Sequence, residues 1–283
     1  MRRTLLLLAT TVALALLLVG GVATAKQEID KGSGAIPRST VVKASFANGS
    51  GANFLGVKVS DHGNLTSFES PAGQEQVFGG REGYAVCSNN GTTHNGHDTG
   101  DVEGGFAAPT FSQPNGAGTF PLTVTRRTTD GKFQLTQVWA KPDAVEKDIT
   151  VTMTLKNISS ATIEGVLMSR SGDFDVGDQS ADRGAGTNDS AWLWDDATLV
   201  SPPGGLMLTA LSFGTSHFTG IETASTWVGD GTQTNPGTRQ SCGADRVNTP
   251  TSTASDLTMK VLYLFGNMSA GQSKSVKFEY GRM

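Results

Sequence analysis

From residue 148 the chain alternates in steps of two. Ile149, Val151, Met153 and Leu155 share one parity, while Thr150, Thr152, Thr154 and Lys156 take the other. Successive side chains of a strand point to opposite faces, so this spacing predicts a half-buried strand and excludes a helix. The polar segment 157–161 then reverses the chain, a second apolar arm covers 162–170, and an acidic loop follows it to residue 178. Residues 40–46, 54–60 and 65–70 read in the same way as a meander, broken by the turn segments 48–53 and 61–64.

Phe120, Leu122 and Val124 alternate toward Asp130-Gly131, a strong hairpin signal, and Phe133, Leu135 and Trp139 return from it. Shorter strands are predicted over 76–86, 191–200 and 206–213. At the end Met259, Val261, Tyr263 and Phe265 alternate, 267–271 turns, and Val276, Phe278 and Tyr280 alternate again. No helical period and no internal repeat interrupts this pattern. The fold class is therefore all-β: a large antiparallel β-sandwich of about a dozen strands, with long irregular loops over 87–118 and 229–256.

Composition agrees with strands and turns. Glycine occurs 36 times in 283 residues and charged residues make up only 17%, against roughly 25% in an average globular chain. The formal charge of −4, without a basic cluster, argues against nucleic acid and anionic membrane surfaces as partners. Arg2 and Arg3, an apolar run over 5–22 and Ala23-Thr24-Ala25 predict a signal peptide over 1–25. The run is long enough to span a bilayer, but no basic stop-transfer cluster follows it. A polar linker over 26–39 and one sandwich domain over 40–283 complete the expected organisation, with residue 145 the alternative boundary between two smaller sandwiches. The address is secreted or extracytoplasmic, with no membrane association after cleavage. In that oxidising setting the only two cysteines, Cys87 and Cys242, are expected to pair.

Three segments carry candidate chemistry. HNGHDTGD gathers His94, His97, Asp98 and Asp101, residue types suited to a divalent metal or to general base work, although a solvated loop has the same composition. GDFDVGDQSAD supplies Asp173, Asp175, Asp178 and Asp182, oxygen ligands of the kind calcium takes, without the order of an EF-hand. In AWLWDD, Trp192 and Trp194 fall on one side of a strand with Asp195 and Asp196 beside them. Indoles stack on sugar rings and carboxylates accept hydroxyl hydrogen bonds, so these four with Trp227 form a candidate glycan platform; packing between sheets is the structural alternative. Asn48, Asn64, Asn90, Asn157, Asn188 and Asn267 each open an Asn-x-Ser/Thr sequon. No nucleophile elbow, phosphate loop or paired CxxC is present.

The succession VTMTLKN, GVLMSRSGDFDVGD and AWLWDD, within 148–213, resembles the large β-sandwiches of the galactose mutarotase-like type found among carbohydrate-active proteins. KNISSATIEG and NMSAGQSKSVKF resemble strand pairs of bacterial Ig-like surface modules. Catalytic His and carboxylate positions of the first group have no match here, so no catalytic residue is carried over. The preferred expectation is a secreted, non-catalytic sandwich that binds a glycan or a cell-surface protein, or serves a structural role, with calcium the one cofactor suggested. The alternative is a carbohydrate-active enzyme, an epimerase, lyase or hydrolase, working through His94 or His97.

Overall fold

The computed structural model describes residues 41–88, 93–97, 105–176, 182–195, 205–223 and 257–283. The expected signal peptide and linker lie outside them, as do Asp98, Asp101, Asp178, Asp196, Trp227 and Cys242. Among the described residues there are sixteen strands and one short 3₁₀ turn, and no helix is long and apolar enough to cross a membrane.

The fold is all-β and antiparallel, as the alternation predicts. Strands β1 (Val42–Asn48), β2 (Leu55–Ser60) and β3 (Leu65–Glu69) form the expected meander, a three-stranded sheet. The next strands are β4 (Phe78–Cys87), β5 (Thr93–His97), β6 (Thr110–Ser112), β7 (Leu122–Arg127), β8 (Phe133–Trp139), β9 (Asp148–Asn157) and β10 (Ile163–Asp175). They are followed by β11 (Asp182–Gly186), β12 (Ser190–Asp195), β13 (Gly205–Ala210), β14 (His217–Thr223), β15 (Leu257–Met268) and β16 (Ser273–Arg282). A five-stranded sheet runs β14-β15-β10-β4-β5 and an eight-stranded sheet runs β11-β12-β13-β16-β9-β8-β7-β6. Strands from before and after residue 145 share both sheets.

In β9 the expected parity holds along its length: Ile149, Val151, Met153 and Leu155 are buried and the threonines between them are half-exposed. From β16, Val276, Phe278 and Tyr280 enter the same core, in which Trp139, Phe133, Phe174 and Tyr263 are also fully buried. Burying each such chain contributes about 1.5–3 kcal/mol. The 120–139 hairpin forms as predicted, with Gly131 at φ 72° in its turn.

Two expected strand pairs differ in their partners. β9 does not pair with β10, nor β15 with β16; each turn carries the chain from one sheet to the other. β9 pairs with β16 in the large sheet, and β10 with β15 in the small one. The two crossing turns then pack together: Asn157 N–H donates to Gln272 O at 2.9 Å, and Gly271 N–H to Asn157 O at 2.9 Å. The Asn157 side-chain amide, fully buried, donates to Met268 O and Ala161 O. That makes this sequon asparagine a fastener of the two arches.

Two loop assignments are corrected as well. Residues 93–97 and 110–112, read as parts of one loop, form edge strands β5 and β6, and β5 places His94 opposite Val86 and His97 opposite Gly83. The acidic segment does not begin as a turn: Asp173 and Asp175 belong to β10, on either side of a fully buried Phe174. Pairing with β4 and β15 extends that strand beyond what its own polar residues suggest.

Candidate functional site

Two regions concentrate polar chemistry, one sealed in the core and one on the outside of the large sheet. The sealed one centres on Arg170, which follows Val166 and Met168 on the inward parity of β10. Its Nε lies 2.5 Å from Glu82 Oε1 and both side chains are fully buried. Arg170 Nε also donates to Tyr280 Oη at 2.9 Å, Nη1 to Gln137 Oε1 at 2.8 Å and Nη2 to Gly63 O at 3.0 Å. Tyr280 O–H donates to Glu82 Oε1 at 2.6 Å, and Leu65 N–H to Glu82 Oε2 at 2.9 Å. The guanidinium stands 4.5 Å from the centroid of Trp139.

The turn between β2 and β3 completes this cluster from the third sheet. Its carbonyls point inward: His62 O accepts from Tyr84 O–H at 3.0 Å and Gln137 Nε2 at 3.2 Å, and Gly63 O also accepts from Trp139 Nε1 at 3.2 Å. Burial pushes the Glu82 carboxyl above its ordinary range, with Arg170, Tyr280 and Leu65 N–H pulling the other way. Burial alone would lower Arg170; the Glu82 charge, together with Tyr280 and the hydrogen bonds to both, more than offsets it. Arg170 thus finds its ion-pair partner in Glu82, a residue far earlier in the chain. Enclosed on every side, this centre ties three sheets together and offers no approach to a ligand.

The outer region lies on β12, β13, β16 and β9. In β12, Ala191 and Leu193 are buried in the core and Trp192 and Trp194 are half-exposed on the opposite face. The inter-sheet packing weighed for these indoles is therefore not their place. Trp192 is in register with Met207, Met207 with Gly281, and Gly281 with Asp148. A Cβ added at Gly281 would lie 3.8 Å from Asp148 Cβ and 3.9 Å from Met207 Cε, so these two side chains flank a glycine step. The neighbouring row runs Ser190, Thr209, Glu279 and Thr150, with Ser190 Oγ and Thr209 Oγ1 3.0 Å apart. Three inter-strand steps separate Trp192 from Asp148, about 14 Å.

At the acidic end of this face, burial raises Asp148, and Asp143 and Glu146 raise it further; Lys277 acts against them. Glu279 is also raised, first by burial and then by Asp148. Neither carboxylate was singled out in the sequence, where each is one polar position in an alternating strand. Parity placed them outward, but only the pairing of β9 with β16 makes them neighbours.

Among the described residues, the remaining candidates are spread over several strands. Asp195 lies in β12 opposite Asp182 of β11. Among the described residues, no three His, Cys, Asp or Glu groups gather to hold a metal. Cys87 is buried on β4.

No family model matches the sequence, and no curated protein matches it. The structure is similar to part of a bacterial glucoamylase complexed with acarbose, with TM-score 0.52 and 9% identity over 89% of this chain and 34% of that one. The chain thus spans about a third of the glucoamylase, and the likeness shows a shared fold alone. A candidate aldose 1-epimerase of Escherichia coli K12 superposes with TM-score 0.46 and 9% identity, over 85% of this chain and 99% of that one. A polysaccharide lyase superposes with TM-score 0.37 and 11% identity, over 85% and 32%. These two weaker superpositions carry no argument.

Proposed function

We propose that the chain is an exported, non-catalytic β-sandwich that binds a glycan across the outer face of its eight-stranded sheet. The observation that carries this reading is the position of Trp192 and Trp194, half-exposed on one face of β12 while Ala191 and Leu193 fill the core. Large apolar rings are normally drawn inward; two in one outward column favour a partner that removes them from water. A sugar ring is such a partner, because its C–H face stacks on an indole while its hydroxyls seek polar groups. Ser190, Thr209, Glu279 and Asp148 provide those groups along the adjoining rows.

A glycan-array screen of the purified protein, repeated with Trp192→Ala and Trp194→Ala, tests this. Each variant is expected to melt as the parent does and to lose at least about tenfold in affinity, or 1.4 kcal/mol. Equal glycan binding by the parent and both folded variants would sink the proposal, as would an array on which the parent binds nothing.

A further inference from the structure

We infer that a groove beside the acidic end of this face is a subsite for an uncharged sugar ring; the inference rests on the glycan-binding reading. The groove, about 570 Å³, lies between the end of β1 and the segment joining β8 to β9, and is lined by Phe46, Asn48, Lys141, Pro142, Asp143 and Ala144. That volume is within the range of small-molecule sites. Phe46 packs against the core cluster, which holds its ring in place as an apolar wall. Lys141 Nζ stands 5.9 Å from the centroid of that ring, and among the described residues it has no ion-pair partner.

The polar groups are set for hydroxyls. Asp143 Oδ1 accepts the N–H groups of Val145 at 2.7 Å and Glu146 at 3.2 Å, which orients the carboxylate and holds it below its ordinary range. Its second oxygen remains an acceptor. The exposed Asn48 amide adds a donor and an acceptor, and Lys141 adds donors. Within the groove the Lys141 ammonium balances the Asp143 carboxylate, and at its border Lys147, which donates to Ala144 O, and Lys277 balance Glu146 and Asp148. A surround so balanced gives an anionic sugar no net attraction and suits an uncharged one.

The groove also continues the proposed platform. Asp143 N–H donates to Asp148 O at 2.9 Å and Asp148 N–H to Asp143 O at 3.2 Å. A glycan chain crossing from the indoles to Asp148 therefore arrives at the groove's edge.

Calorimetric titration with cellobiose, maltose and lactose, and with digalacturonate as the acidic counterpart, tests the assignment. At least one neutral disaccharide is expected to bind the parent. Phe46→Ala and the exposed substitutions Asn48→Ala and Lys141→Ala should weaken it about tenfold, whereas Trp192→Ala should weaken only longer oligosaccharides. The two exposed variants keep the test valid where loss of Phe46 disturbs folding. Disaccharide binding that survives the groove variants but is lost in Trp192→Ala overturns the subsite and leaves the indole platform standing. Tighter binding of digalacturonate overturns the uncharged class. No binding of any saccharide overturns both readings.

Discussion

Arg170 and Glu82 meet at 2.5 Å across adjacent strands β10 and β4, with neither side chain exposed to solvent. An ion pair so enclosed gives up hydration on both sides, and its Coulomb energy only partly repays that loss. Its sensitivity lies in breaking one side. Arg170→Ala is expected to cost about 3–5 kcal/mol in urea unfolding, because it strands the Glu82 carboxylate, whereas replacing both residues by apolar ones of similar volume recovers most of that. Tyr280→Phe keeps the ring stacked 6.2 Å from Trp139 but loses the hydroxyl bonds to both charges. It should cost about 1.5–3 kcal/mol.

Gly63 is expected to tolerate a side chain much less well than Gly131, although both sit in hairpin turns. Its φ of 84° lies in the left-handed region, and a Cβ there would stand 2.5 Å from Gln137 Nε2. That amide is fully buried and held by His62 O, and its oxygen accepts from Arg170. At Gly131, φ is 72° and nothing lies within 4 Å of an added Cβ. Gly131→Ala should therefore show only the backbone cost of about 1–2 kcal/mol, and Gly63→Ala clearly more. Similar melting temperatures for the two variants would contradict the close packing of the β2–β3 turn against Gln137.

Asp148 and Glu279 predict a pH dependence of defined sign. Both carboxyls are raised in the folded state, so the folded protein binds more protons than the unfolded one just above the ordinary carboxylate range. Their contribution to stability is most favourable below about pH 4 and declines as pH rises through the raised values. Asp148→Asn removes one such group and relieves the other. It should raise the melting temperature near neutral pH, by no more than about 0.5 kcal/mol in stability, and the difference should vanish in acid. A variant less stable than the parent at pH 7 would reject the assignment.

The proposed export predicts a Cys87–Cys242 disulfide. Closing a loop of about 155 residues would stabilise by roughly 4 to 5 kcal/mol in the chain-entropy model. Peptide mapping without reductant should recover the two cysteines linked; two thiols titrating in the denatured, unreduced protein would refute the bridge.

The outward face proposed to bind glycan was half legible in the sequence. Parity alone put Trp192 and Trp194 on one side of a strand, but it does not tell the inside of a sandwich from the outside. That choice followed from Ala191 and Leu193, whose small and branched chains fit the space between sheets. Arg170 carried a subtler signal, a charged residue on the apolar parity of β10. Its partner could not be read, since Glu82 lies far earlier in the chain and only the pairing of β10 with β4 brings it near.

By itself the sequence determined the regular strands such as β7, β8, β9, β15 and β16 and which of their side chains turn the same way, because alternation is a local consequence of backbone geometry. It determined the 120–139 hairpin too, where Asp130-Gly131 dictates the turn. Only the tertiary structure decided that β9 and β10, like β15 and β16, arch between sheets and do not pair. A hairpin and an arch share the same alternation and the same polar turn, and differ only in whether the second strand rotates its hydrogen-bonding edge away from the first. Distant strands settle that rotation: β16 takes the edge of β9, β15 takes that of β10, and the outer face with its indoles, acids and groove is assembled as a result.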